Sequence, residues 1–246
     1  MSQLVTHHIS NGIATIIMDD GNANVASPDF LEQLNLALDA AEAENAAVIL
    51  TGRAEVFCAG FDLKVLRTGV GNAFKMLMGG FWLTYRLMSY PYPVIVACNG
   101  HAIALGAFIL LTGDYRLGVS GNFKIVANEV KNGLNMPHCA LVLCQYRLNP
   151  SHVHRAMLLS EVFNSEQAVE AGFLDAVVDV DKLLPTAELL AKEYLELNQQ
   201  AHTESKFRMR KTFLHRFKRA IRADRNGFVM MGLKRVFGSK KKGTTS

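Results

Sequence analysis

The run Ala47-Val48-Ile49-Leu50-Thr51-Gly52 is almost wholly apolar and closes on a glycine. It is too short for a helix and lacks the alternation of a half-exposed strand. It therefore fits a strand buried on both faces, the habit of parallel sheets covered by helices. Pro93 to Cys98 is a second such run. Upstream, Leu4 to Ile9 and Ile13 to Met18 flank Ser10-Asn11-Gly12, where Asn-Gly supplies the positive dihedrals of a tight hairpin. Ser27-Pro28-Asp29 then reads as an N-cap, a first-turn proline and an acidic residue on the dipole. These open a helix whose Leu31, Leu34, Leu38 and Ala41 form one stripe.

Downstream, a Gly-rich patch at Gly69 and Gly71 precedes a predicted helix from Phe74 to Ser89. A very apolar helix, Leu105 to Thr112, leads to strands Tyr115 to Val119 and Phe123 to Val126. Helices follow at Pro137 to Leu148, at Ser151 to Leu159 and from Ser165 to Gly172, then a strand from Ala176 to Val180. From Leu183 the pattern is helical, with Leu189, Leu190, Tyr194 and Leu197 on one stripe, and the basic segment Phe207 to Arg225 continues it. Strands alternating with helices predict an α/β fold rather than a sandwich. The expected division is a core over 1–190 and a basic helical region over 191–246, of which 238–246 is expected to be disordered.

The chain has 246 residues, 50% of them hydrophobic and 20% charged, a composition that excludes disordered and fibrous classes. No apolar run reaches the roughly 18 to 20 residues of a membrane span. The first residues lack the apolar core of a signal peptide, so a cytoplasmic protein is expected. Cys58, Cys98, Cys139 and Cys144 sit singly among apolar neighbours, which predicts reduced core thiols and no metal site. Charge is uneven. Residues 1–200 carry 12 basic against 20 acidic side chains, net −8, whereas 201–246 carry 14 against 2, net +12. That tail must face something negative, or another subunit.

Three segments carry chemistry: Phe57-Cys58-Ala59-Gly60-Phe61-Asp62-Leu63-Lys64, then Asn99-Gly100-His101-Ala102-Ile103-Ala104-Leu105-Gly106-Ala107-Phe108, then Asn128-Glu129-Val130-Lys131-Asn132-Gly133-Leu134-Asn135-Met136-Pro137. In this order, each directly after a strand, they resemble the crotonase superfamily, the enoyl-CoA hydratase/isomerase family. Ala168 to Asp175 resembles that family's late helix and turn. The resemblance implies a crotonase-like spiral of ββα units and a C-terminal helical region that drives trimer or hexamer formation. It implies an acyl-CoA thioester as ligand, with no cofactor beyond the coenzyme A that the substrate carries.

It also implies an oxyanion hole of two backbone N–H groups, which by position are those of Phe61 and Leu105. Gly60 lets backbone approach a ligand closely, and Leu105 stands at a helix start, where unpaired N–H groups favour an anion. The family usually has glycine at the second donor, so the Leu105 side chain must point away from the ligand. Ala59, Gly60, Asp62, Lys64, Gly106 and Phe108 are the further residues expected near the substrate. Asp62 is also suited to capping the segment that it begins.

Hydratases of this family hold a water between two glutamates. Here Phe108 occupies the first position and Glu129 the second. One carboxylate suits a proton shuttle, removing a proton from C2 of a 3-enoyl-CoA and returning it at C4, which is the isomerase arrangement. Burial should raise the Glu129 pKa toward the operating pH. His138 is a further acid/base candidate, and His101 is read as structural. Lys64, Lys206, Lys211 and Lys218 are candidates for the coenzyme A phosphates. The alternatives are a hydratase, in which Glu129 alone or with His138 orients water, and a non-catalytic acyl-CoA- or RNA-binding protein. Phe207, Lys211, Leu214, Phe217 and Ile221 recur near helical spacing, which reads as a packed face with a basic opposite side and argues against nucleic acid.

Overall fold

A computed structural model describes residues 2–240, with burial described through Gly227. Its main sheet has six strands in the order β1 (Val5–Ser10), β2 (Ile13–Met18), β4 (Ala47–Thr51), β7 (Val94–Cys98), β9 (Tyr115–Val119) and β11 (Ala176–Val178). Only the β1–β2 hairpin is antiparallel. The runs read as doubly buried strands are so because successive side chains enter two different cores. Val48 and Leu50 face one cluster and Ile49 the other; Val94, Val96 and Cys98 face the first and Ile95 and Ala97 the second.

The larger cluster takes in helices α1 (Pro28–Ala43), α3 (Val70–Met88), α4 (Leu105–Leu110) and α5 (His138–Arg147). Ser27 caps α1 as expected, its hydroxyl accepting from the Phe30 N–H at 3.2 Å. The smaller cluster is closed by α8 (Leu183–Leu195) through Leu183, Ala187 and Ala191. Of the expected stripe, Leu190 and Tyr194 pack partly buried against this cluster, whereas Leu189, off the Leu183–Ala187–Ala191 face, and Leu197, beyond the end of α8, are exposed. The boundary expected at residue 190 falls inside α8, so the sheet-packed body extends beyond it.

β10 (Ile125–Val126), the end of the strand expected over Phe123 to Val126, forms a second, parallel sheet with β8 (Gly100–Ile103) and β5 (Glu55–Cys58), and β3 (Val25–Ala26) pairs with β6 (Gly60–Phe61). The last four, β8, β5, β3 and β6, escape sequence reading. A short helix α2 (Leu63–Arg67) follows β6, and α6 (Pro150–Leu158) and α7 (Ser165–Ala171) lie between α5 and β11. The chain is not helical without a break after Leu183: α8 ends and α9 (Gln199–Lys240) begins after Asn198, whose Oδ1 accepts from the Ala201 N–H at 2.9 Å. α9 takes in the first three residues of the tail expected to be disordered; 241–246 lie outside the described residues. No helix among the described residues is long and apolar enough to cross a membrane.

The buried face of α9 is Phe213, Leu214, Phe217, Ala220 and Ile221, while Phe207 and Lys211 are exposed. Two of its cations also point inward. Lys206 Nζ meets Asp114 Oδ2 at 2.6 Å, and Arg210 meets Asp114 Oδ1 at 2.5 Å. Burial works against the charge on Asp114, but the two cations outweigh it and hold the carboxyl below its ordinary range. Lys206 is therefore an anchor of α9 and not a phosphate contact. The four cysteines are free and buried. Burial pushes the thiols of Cys58 and Cys98 up to about 12, which leaves them unreactive.

Candidate active site

The ends of the second sheet, the start of α4, the turn before α5 and the body of α9 converge on a cavity of about 520 Å³. Ala59, Phe61, Ala104, Glu129, Met136, His138 and Asp224 are among the residues lining it. The three sequence segments thus meet at one place.

Buried polar side chains fix the first segment. Asn24 is fully buried and donates to the carbonyls of Met18, Val56 and Phe57 at 2.8, 3.2 and 3.2 Å. Asn99 accepts from the Gly52 N–H at 2.9 Å. In the β3–β6 ladder the Asp62 N–H donates to Ala26 O at 3.4 Å. Amides alternate sides along a strand, so the Phe61 N–H, one residue earlier, faces away from β3.

The second segment lies against the first. Gly60 has φ +93°, and a Cβ there would sit 3.0 Å from the Ala104 Cβ and 3.6 Å from the Leu105 N. A Cβ on Gly106 would fall 2.0 Å from the Cys58 carbonyl oxygen. Both glycines are spaces through which the two backbones touch. Ala104 has φ 51° and ψ −118°, unusual for a residue with a side chain, and its N–H donates to Val126 O at 2.8 Å. This local strain turns the chain so that Leu105 opens α4, where its N–H has no intrahelical acceptor. The Leu105 side chain is fully buried and points at Gly80 of α3, where an added Cβ would lie 2.8 Å from Cδ2. Gly80 makes the room that a leucine at this position requires.

Glu129 precedes a 3₁₀ turn, Val130–Asn132, and is only 8% exposed. Its Oε2 is buried without a hydrogen-bond partner. Burial raises its pKa to about 7, opposed by a smaller effect of its own backbone N–H.

Asp224 is the lining residue that sequence reading missed. Its two carboxylate oxygens accept from the His138 and Cys139 N–H groups at 2.8 and 2.9 Å, capping α5, which has no side-chain cap from its own N-cap residue, Pro137. No local signal marks a cap that arrives from a helix 86 residues away. His138, though exposed, stands at the cavity wall.

Several residues expected near the ligand lie elsewhere. Asp62 caps α2, its Oδ1 accepting from the Lys64 N–H at 2.7 Å. Lys64 is exposed and outside the lining, and Gly60 and Gly106 are held within the backbone contacts just described. Phe108 is 2% exposed and belongs to the core rather than to the cavity wall. His101 is structural, its Nδ1 accepting from the Lys124 N–H at 2.9 Å. Lys211 and Lys218 flank a separate shallow groove with Tyr85, and the Lys218 ammonium lies 5.9 Å from that ring.

Residues 8–244 match the family model described as enoyl-CoA hydratase/isomerase. The chain belongs to that family. An enoyl-CoA hydratase/isomerase family protein from Pseudomonas syringae superposes with a TM-score of 0.89 at 41% identity, covering 91% of this chain and 97% of that one. An enoyl-CoA isomerase of Mycobacterium tuberculosis superposes with a TM-score of 0.86 at 42% identity, covering 94% and 99%. A probable enoyl-CoA hydratase of the same organism is 31% identical over 191 residues, 74% of this chain and 72% of its own. The fold is accordingly that of the crotonase superfamily, a mixed α/β body with a C-terminal helical region. An enzyme of this family acting on acyl-CoA thioesters is the function that membership carries.

Proposed function

We propose that the protein isomerises 3-enoyl-CoA to trans-2-enoyl-CoA by proton transfer through an enolate. One observation carries this reading: among the described lining residues, Glu129 has the only carboxylate with a free, buried oxygen. The other lining carboxylate, Asp224, has both oxygens engaged in capping α5. The family's hydratases hold a water between two carboxylates, whereas a shuttle needs one. With a pKa near neutrality the group is both an adequate base toward C2 and an adequate acid toward C4.

The Phe61 and Leu105 amides are assigned to the thioester oxygen. When the α-proton leaves, charge moves onto that oxygen, and one preorganised donor there is worth roughly 3 to 4 kcal/mol. The strained turn at Ala104 and the close approach at Gly60 support the assignment, since each holds a donor in place before the reaction begins. Glu129 takes the C2 proton, the C2–C3 double bond forms as the C3–C4 π electrons move to C4, and the same carboxyl delivers its proton to C4. No cofactor enters. A homotrimer or hexamer in the cytoplasm goes with this reading, and the exposed Leu158, Leu159 and Val162 offer a surface for assembly.

Hydration of trans-2-enoyl-CoA is the second reading, and His138 on the cavity wall is what favours it. A paired assay separates the two. Purified protein is given 3-enoyl-CoA and trans-2-enoyl-CoA beside a Glu129→Gln variant. Isomerisation that falls at least 10³-fold in the variant supports the proposal, in line with loss of an acid/base group that typically contributes about 10² to 10⁴-fold. Water addition without isomerisation rejects it, and unchanged turnover in the variant removes Glu129 from the mechanism.

A further inference from the structure

Gly227 lies inside the 42-residue helix α9, where a glycine costs about 1 kcal/mol against alanine. Packing against the described residues does not ask for it. A Cβ at 227 would meet none of the described residues within 4 Å, unlike Gly80, Gly100 or Gly106, whose added carbons would strike neighbours. What Gly227 and Ala223, one turn before it, share is that both line the cavity. Between them Asp224 is tied to the start of α5, so this face of α9 is fixed where it meets the cavity. Elsewhere the wall is mostly apolar, with Leu63, Leu66, Leu77, Phe81, Leu134 and Met136. That the space receives a ligand is indicated independently by the unpartnered Oε2 of Glu129.

We propose that the cavity takes a long, unbranched acyl chain laid along the Ala223–Gly227 face of α9, and that Gly227 sets the upper limit of chain length. This rests on the reading of the ligand as an acyl thioester. The cavity, of about 520 Å³ and lined mostly by apolar side chains, has room for the thioester end and for a run of acyl carbons beyond it. A leucine at 227 brings four carbons into that space and should shorten the preferred chain by about as many.

The test compares wild type, Gly227→Ala and Gly227→Leu on linear 3-enoyl-CoA substrates of six to sixteen carbons. The dissociation constants of saturated acyl-CoA thioesters of the same lengths are measured alongside. Leucine is a better helix former than glycine, so loss of fold does not confuse the result. The expected result is that the twelve-to-six-carbon ratio of kcat/KM falls at least tenfold in Gly227→Leu and by less in Gly227→Ala. The same trend is expected in the binding of the saturated thioesters. A ratio within twofold of wild type in both measurements overturns the inference while leaving the isomerase reading intact. If no 3-enoyl-CoA is turned over but the length limit in binding still shifts, the isomerase reading falls and the inference stands. If no acyl-CoA binds, both fall.

Discussion

Gly106→Ala tests the oxyanion assignment at the point where the two donor segments touch. The new methyl would lie 2.0 Å from the Cys58 oxygen, 2.8 Å from its carbonyl carbon and 3.0 Å from its Cβ. These are backbone atoms and a fully buried side chain, so no flexible group can swing aside. The two backbones must part by at least about 1 Å to reach even the tightest contact a Cβ tolerates, and a displacement of that size costs roughly 10²-fold in rate. The separation falls between the donors themselves, because Cys58 lies three residues before Phe61 and Gly106 directly follows Leu105. Overpacking of this kind costs about 1 to 3 kcal/mol, offset by about 1 kcal/mol from alanine's better helix propensity, so the variant stays folded. The assay is kcat and KM on 3-enoyl-CoA, with saturated acyl-CoA affinity and calorimetric Tm measured in parallel. The expected result is a kcat lowered about 10²-fold with acyl-CoA affinity little changed. Gly79→Ala on α3 is the control, since its methyl meets only the Leu31 Cδ1 at 3.3 Å. A folded Gly106→Ala enzyme with kcat within threefold of wild type would refute the claim that these amides carry the developing charge.

Two further outcomes follow from charges in the structure. In the folded protein Glu129 keeps its proton up to about pH 7, against 4.5 when unfolded. Between those values the folded state binds more protons, so its contribution to stability is full below 4.5 and is lost as pH rises through 7, by about 3 kcal/mol in all. Glu129→Gln should therefore melt above wild type at pH 8 and lose that advantage toward pH 4.5, and wild-type kcat/KM should climb about tenfold per pH unit to a plateau above 7. A rate flat from pH 5 to 8 would contradict this. Lys206→Met removes one of two partners from the buried Asp114 and should cost about 2 to 4 kcal/mol, read by calorimetry, while KM for acyl-CoA stays within twofold. A large rise in KM would return Lys206 to the phosphate site.

The centre of the main sheet was legible because β4 and β7 are buried on both sides, and double burial leaves an unbroken apolar run such as Ala47 to Leu50. α1 was legible because Ser27 and Pro28 act on their own helix. What escaped was built from distant pieces. β3, β5, β6 and β8 are two to four residues long and gain stability only by pairing with one another or with β10, so no local periodicity marks them. The candidate site divides the same way. Glu129 and the two glycine turns stand out in sequence. Asp224 did not, because its role comes from the open helix end at His138, 86 residues earlier. Lys206 read as a candidate phosphate contact because its partner Asp114 lies 92 residues upstream.

The basic tail shows how far such distant partners change a reading. Its net +12 suggested a polyanion surface or an interface, yet the cations described through Arg225 divide by the face of α9 that they occupy. Lys206 and Arg210 turn inward to Asp114, and Arg210 also donates to the Met88 carbonyl at 2.9 Å. Arg216, Arg219, Arg222 and Arg225 face solvent. Between the Asp114 anchor and the Asp224 cap, roughly 27 Å of helix, lies an aromatic stack: Tyr146 on Phe213 at 4.1 Å and Phe213 on Phe217 at 5.2 Å. A charged end, a stacked middle and an acidic cap hold α9 at three separate points. A helix held this way places Ala223 and Gly227 at the cavity at fixed depth, which a single hydrophobic seam, free to slide by one turn, would not do. The charge asymmetry of the sequence is thus partly a record of how the last wall of the site is docked.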